Sequence, residues 1–183
     1  MGSSISNVNP LIRTAKIDVS KYVGMNESNP KVWHEIYSTQ PKFSEDLVDI
    51  TASYYLKPDQ SVSVTNSGIN EFTGQRKTSV GTAKAVRCDN TMGYDCKDMS
   101  RFDVRFFFLQ PEDRNKGNYW ILDAVEDQSR DRYDYALVTN PSGSMIWFLS
   151  SSKRMPREIV DRFVKLLVDY RVDSTKLRKT WRS

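Results

Sequence analysis

The segment Arg101–Phe108 constrains this chain more than any other. It reads Arg-Phe-Asp-Val-Arg-Phe-Phe-Phe, with Phe102, Val104, Phe106 and Phe108 in one phase and Arg101, Asp103 and Arg105 in the other. A period of two over this length makes an extended strand with one face in a core and one in water, the signature of an antiparallel sheet. Shorter runs of the same kind surround it. Ser61–Asn66 alternates strictly, with Val62 and Val64 on one face. Asp49–Leu56, Arg76–Arg87, Tyr119–Val125, Tyr133–Thr139 and Met145–Ser150 are further apolar runs, separated by turn residues such as Lys57-Pro58-Asp59-Gln60 and Asn140-Pro141-Ser142-Gly143.

The pattern changes once. Ile159, Val160, Phe163, Val164, Leu166, Leu167 and Tyr170 form a 3.6-residue stripe, which predicts a helix over Pro156–Tyr170 with one face laid on another element. Pro156 suits its first turn. Lys176–Trp181 reads as an extra edge strand. Many short strands and one late helix make an all-β architecture, either an up-and-down barrel or a sandwich, and periodicity does not separate the two. A closed eight-stranded barrel leaves room for side chains or one small ligand.

Composition narrows the function. Lys and Arg number 27 against 23 Asp and Glu, a net charge of +4, but the two signs are interleaved along the chain, as in Asp123–Asp134. A nucleic-acid binder gathers its charge on one face, so nucleic acid is not an expected partner. One histidine, His34, and two cysteines, Cys88 and Cys96, provide no metal-ligand spacing, and neither a metal nor a cofactor is expected. No nucleophile–base pair or phosphate loop is visible, so the chain is not read as an enzyme and no catalytic residue is assigned. Cys88 and Cys96 flank a hairpin and are left open between a disulfide and the reduced state, with the reduced state favoured. The oligomeric state is not fixed by the sequence.

Six motifs in order carry a resemblance. Asp18–Gly24, Trp33-His34-Glu35-Ile36, the Ala52–Tyr55 and Leu56–Asn66 hairpin, Gly81-Thr82-Ala83, Tyr119–Asp123 with Tyr133–Val138, and Trp147–Ser150 followed by the helix and Asp173–Leu177 resemble the lipocalin family, in its bacterial and apolipoprotein D-like branch. The resemblance spans about residues 17–181. It implies an eight-stranded antiparallel up-and-down barrel with one C-terminal helix packed outside. It also implies binding and transport, or scavenging, of a small hydrophobic ligand such as a fatty acid, lysolipid, sterol or isoprenoid. The alternative from another class is a lipocalin-fold enzyme acting on a bound lipid, with Cys88, Cys96 and Asp123 as the groups whose position relative to the cavity decides.

Two departures from the family stand out. Its Gly and Trp lie one residue apart, whereas Met25–Val32 separate Gly24 from Trp33 here. The family's Arg after the last barrel strand, which stacks over the first-strand Trp, is Ser151 here, leaving Lys153 or Arg154 as substitutes. The resemblance makes Trp33 the residue that closes the barrel and puts Trp147 in the cavity. Alternation adds Phe106 and Phe108, and Tyr54, Val62, Val64, Tyr135 and Leu137 complete the expected ligand-binding wall.

Residues 1–16 read as a flexible polar arm and 17–183 as the barrel domain. Met1-Gly2-Ser3-Ser4-Ile5-Ser6 fits the N-myristoylation pattern with Gly2 as acceptor, though cloning leaders begin the same way. One acyl chain holds a membrane only marginally. Arg13 and Lys16 would have to add peripheral membrane contact through the arm, helped by the Lys153–Arg157 cluster. With no apolar leader at its start, the chain is expected in the cytoplasm or on the cytoplasmic face of a membrane, with secretion as the alternative.

Overall fold

The computed structural model describes residues 8–86, 100–106 and 116–182. Eight strands run β1 (Lys31–Ser38), β2 (Leu47–Leu56), β3 (Val62–Asn70), β4 (Arg76–Ala85), β5 (Arg101–Phe106), β6 (Tyr119–Asp127), β7 (Arg132–Thr139) and β8 (Ile146–Ser150). Each pairs antiparallel with the next, and β1 pairs with both β2 and β8, so the sheet closes. Periodicity had left barrel and sandwich open; this closure decides for the barrel. Helix α1 (Val19–Tyr22) precedes β1, and α2 (Arg157–Asp169) follows β8.

The extra edge strand is β9 (Arg178–Lys179), and its place follows from a bulge. The first half of β1 pairs with β2, from Lys31↔Tyr54 to His34↔Thr51. Between Val48 and Thr51 the ladder of β2 shifts, and Asp49 takes φ +50°. A bulge bends its strand, and β2 turns away from β1 there. Into the space beside Tyr37 and Ser38 comes β9. The Thr180 carbonyl accepts from the Asp49 amide at 3.1 Å and the Thr180 amide donates to the Ile36 carbonyl at 2.9 Å, so the C-terminal segment stitches the parted strands together.

Two separate apolar clusters result. One fills the closed end and wall of the barrel around Tyr22, Trp33, Tyr54, Val62, Val64, Phe102 and Phe106. The other lies outside, where Phe163 and Leu167 of α2 meet Leu122, Leu137, Ile146 and Phe148 of β6–β8. Phe163 and Phe148 stack edge-to-face at 5.3 Å. Arg162 fastens α2 with a paired hydrogen bond, Nε and Nη2 to the two carboxylate oxygens of Asp123, at 2.6 and 2.9 Å.

Residues 8–16 are the described part of the segment expected as an arm. From Val8 the chain is laid along the barrel: the Asn9 amide donates to the Pro141 carbonyl, the Ala15 amide to the Ile121 carbonyl, and Ile12 is buried in the outer cluster. Gly2 lies outside the described residues.

Candidate ligand cavity

One end of the barrel is closed by α1. Asp18 caps this short helix, accepting from the Ser20 amide at 2.9 Å. Lys21 ties it to the β6–β7 hairpin through Glu126 and Asp131. Tyr22 then points into the barrel, 5.0 Å from the Trp33 ring, and its carbonyl accepts from Trp33 Nε1 at 3.1 Å. Trp33 is fully buried. The eight residues between Gly24 and Trp33 are accommodated because Met25–Pro30 folds back on the chain. A side chain on Gly24 would run into the backbone of Asn29, Pro30 and Lys31, so the glycine is what permits the return.

Above this plug lies a cavity of about 770 Å³. Phe43 and Ser44, from the turn between β1 and β2, and Asn140, Pro141 and Met145, between β7 and β8, edge its opposite end. Of the residues expected on the wall, Tyr54, Val62, Val64, Phe106 and Trp147 line the cavity. The inward phase of β5 is as its alternation predicts, with Phe102, Val104 and Phe106 on the wall. Asp103 and Arg105 pair with each other at 2.7 Å, and Arg101 lies 4.2 Å from the Trp120 ring. Phe106 is seated against Gly81, its partner on β4. A Cβ there would lie 2.7 Å from the Phe106 ring and 2.5 Å from the Arg105 carbonyl oxygen.

Tyr135 and Leu137 are corrections. Both face the outer cluster under α2, with Leu137 fully buried there. Pairing explains it: opposed residues of antiparallel strands share a face. Val138 opposes inward-facing Trp147, while Leu137 opposes outward-facing Phe148. Because α2 covers β6–β8 from outside, both faces of these strands are apolar and alternation does not choose between them. Phe108, Cys88 and Cys96 lie outside the described residues.

Of the polar lining only Tyr54 was expected from the sequence. The hydroxyls of Tyr22 and Tyr119 are 2.6 Å apart and those of Tyr119 and Tyr54 3.4 Å. Burial pushes all three phenols well above their ordinary range, so they stay neutral. Glu35 also faces inward, 6% exposed. Burial pushes its carboxyl up to about 7, against partial relief by hydrogen bonds from Ser38 and Thr180. The signal was present in β1, where Glu35 stands in phase with Trp33. Asp123, by contrast, lies outside the cavity, held by Arg162. Among the described residues, no group of three or more His, Cys, Asp or Glu could hold a metal ion, and no helix is long and apolar enough to cross a membrane.

Comparison with known proteins agrees with this geometry. A family model described as a lipocalin-like domain matches residues 17–182. The temperature-induced lipocalin-1 of Arabidopsis thaliana is 30% identical over 168 residues, covering 90% of this chain and 78% of that protein. The outer membrane lipoprotein Blc of Vibrio cholerae is 28% identical over 145 residues, covering 79% and 75%. That relative belongs to the bacterial envelope by its name, which overturns the expected cytoplasmic or cytoplasmic-face location. Among solved structures, the cockroach allergen Per a 4 superposes with a TM-score of 0.61 at 17% identity, over 94% of this chain and 92% of that one. Insecticyanin from the tobacco hornworm Manduca sexta does so with 0.59 at 19%, over 94% and 84%. With a closed barrel, one outer helix and a family match over nearly its whole length, the chain belongs to the lipocalin-like family.

Proposed function

We propose that the protein binds one small hydrophobic molecule inside the barrel, carrying or sequestering it. The observation that carries this reading is the cavity itself: about 770 Å³, plugged at one end by Tyr22 and Trp33 and walled by Val62, Val64, Phe106 and Trp147. Pockets for drug-sized ligands run to about 300–1,000 Å³ and are mostly apolar with a few placed polar groups. Removing apolar ligand surface from water supplies about 25 cal/mol per Å². A rigid barrel spares the ordering cost that a flexible site would incur. Fatty acids, lysolipids, sterols and isoprenoids have the right bulk. The membership in a family of small-molecule binders supports binding over catalysis, and Asp123, a candidate of the enzymatic alternative, lies outside the cavity.

The test is a titration with N-phenyl-1-naphthylamine, a neutral probe that brightens in apolar surroundings. Saturable binding at micromolar concentration is expected, weakened in Trp147→Ala and Phe106→Ala proteins that remain folded. No brightening with this probe, and no binding of acyl chains or sterols, would refute the reading.

A further inference from the structure

The proposed function leaves open which end of a ligand goes deep, and two buried acceptors address it. Glu35 on β1 lines the cavity, is 6% exposed, and its Oε1 has no hydrogen-bond partner among the described residues. Asn66 on β3 lines the same cavity, and its buried Oδ1 is also without a partner among the described residues. A buried acceptor left unpaired is costly, and a native interior rarely keeps one without a purpose. Two of them in one apolar cavity set a demand for donors.

We infer that Glu35, with Asn66, is the polar anchor of the cavity and takes the hydrogen-bond-donor end, hydroxyl or ammonium, of an otherwise apolar ligand. This rests on the cavity being a binding site. A carboxylate-headed chain is the wrong complement at this depth, because it offers Oε1 no donor and brings a like charge beside it.

The surroundings agree. No Lys or Arg among the described residues makes a salt bridge with Glu35. Among the described residues the other titratable groups on the cavity wall are the Tyr22, Tyr54 and Tyr119 hydroxyls and the Lys77 and Lys116 ammoniums, and none is a partner of Oε1. The phenols already serve one another. β9, hydrogen-bonded beside β1 at Tyr37 and Ser38, brings Arg178 and Lys179, both exposed to water. Burial holds the Glu35 carboxyl near 7, so it is ionised at mildly alkaline pH. An ammonium entering the barrel then gains a charge-assisted hydrogen bond, stronger than a neutral one.

The experiment compares dodecan-1-ol, dodecylammonium and dodecanoate, of equal chain length, displacing N-phenyl-1-naphthylamine at pH 8. Wild type is expected to hold the alcohol and the ammonium about tenfold or more tighter than dodecanoate. In Glu35→Gln, which keeps the shape and removes the charge, the ammonium loses about tenfold while the alcohol changes little and dodecanoate gains. Asn66→Leu is the second variant, in which alcohol and ammonium both weaken; it keeps the question answerable if Glu35→Gln does not fold. Were Glu35 only a tether for the C-terminal segment, stability would fall but the order of the three heads would not move. An unchanged order in both variants, or dodecanoate tightest in wild type, overturns the anchor and leaves the carrier reading standing. If wild type binds neither the probe nor any chain, the carrier reading falls and the anchor falls with it.

Discussion

Lys31 Nζ lies 4.7 Å from the centroid of the Trp33 ring and donates to the Tyr133 carbonyl at 2.7 Å. The cation over the first-strand tryptophan therefore comes from two residues earlier on the same strand. It does not come from the segment after β8: Ser151 there bonds Asp134 at 2.7 Å, and Lys153 lies 5.9 Å from Trp181. The substitute expected from Lys153 or Arg154 is supplied by Lys31.

Burial, with Arg132 adding to it, pushes the Lys31 ammonium down to about 8 from 10.5. The Trp33 face and the Tyr133 carbonyl work the other way, favouring the charged form. With a folded value below the unfolded one, the unfolded chain holds more protons between them, so stability rises as pH climbs from about 8 to 10.5 and falls as pH drops back through 8. Urea unfolding of wild type and Lys31→Met across that range should show the gain in wild type alone. Equal slopes would mean that Lys31 is solvated at the barrel end.

Glu35 gives the opposite dependence. Its folded value, about 7, lies above the ordinary 4.5. The protonated form is the one the interior prefers, so the contribution is complete below about 4.5 and is lost as pH rises through 7. The span corresponds to about 3 kcal/mol at most. Denaturation at pH 4.5 and pH 8 should show wild type losing stability relative to Glu35→Gln; a constant difference refutes the assignment.

The two apolar clusters make separable demands. Phe163→Ala opens a cavity under α2 and should cost about 3–5 kcal/mol of unfolding free energy. Ligand affinity per folded molecule should stay unchanged, because Phe163 is in the outer cluster and not on the cavity wall. Phe106→Ala should do the reverse, lowering probe affinity with a smaller loss of stability. A large affinity loss in Phe163→Ala would show that the outer packing shapes the cavity.

Gly81 sets the position of Phe106. Its replacement by Ala puts a methyl group 2.7 Å from that ring. The ring must shift, and overpacking of this kind costs about 1–3 kcal/mol. Gly81→Ala should reduce both the unfolding midpoint and probe affinity, whereas Gly74→Ala, whose added Cβ has open space around it, should leave affinity alone. Normal binding by Gly81→Ala would mean that Phe106 moves without consequence for the ligand.

The Arg162–Asp123 pair tests how α2 is held. Asp123 keeps 12% of its side chain exposed and Arg162 52%. Removing the arginine strands a largely buried carboxylate, so Arg162→Met should destabilise by about 1–2 kcal/mol even after solvent screening of the exposed partner. The double variant with Asp123→Asn should recover part of that loss. Full additivity would deny the coupling.

Where one face of a strand is apolar and the other charged, the sequence reads cleanly. β5 announces its inward residues because Asp103 and Arg105 cannot be mistaken for core, and the stripe around Phe163 announces α2 because only a helix brings those residues together. On β6–β8 the same reading loses its contrast, since cavity and helix make both faces apolar. Leu137 and Tyr135 were misplaced for that reason, and only the pairing of Leu137 with Phe148 assigns the face.

The sequence by itself determined the strands, the outer helix, the family and most of the apolar wall, because hydrophobic periodicity is a local property that a chain carries with it. The tertiary structure alone decided three things. It closed β1 onto β8, it brought Lys31 over Trp33, and it left Glu35 and Asn66 facing one cavity with acceptors that no described residue pairs. The closure and the shared cavity depend on strand register and join residues far apart in sequence, and Lys31 is held over its neighbour Trp33 by the carbonyl of Tyr133, likewise far along the chain. No periodicity records such a distance: it is set when the last strand meets the first.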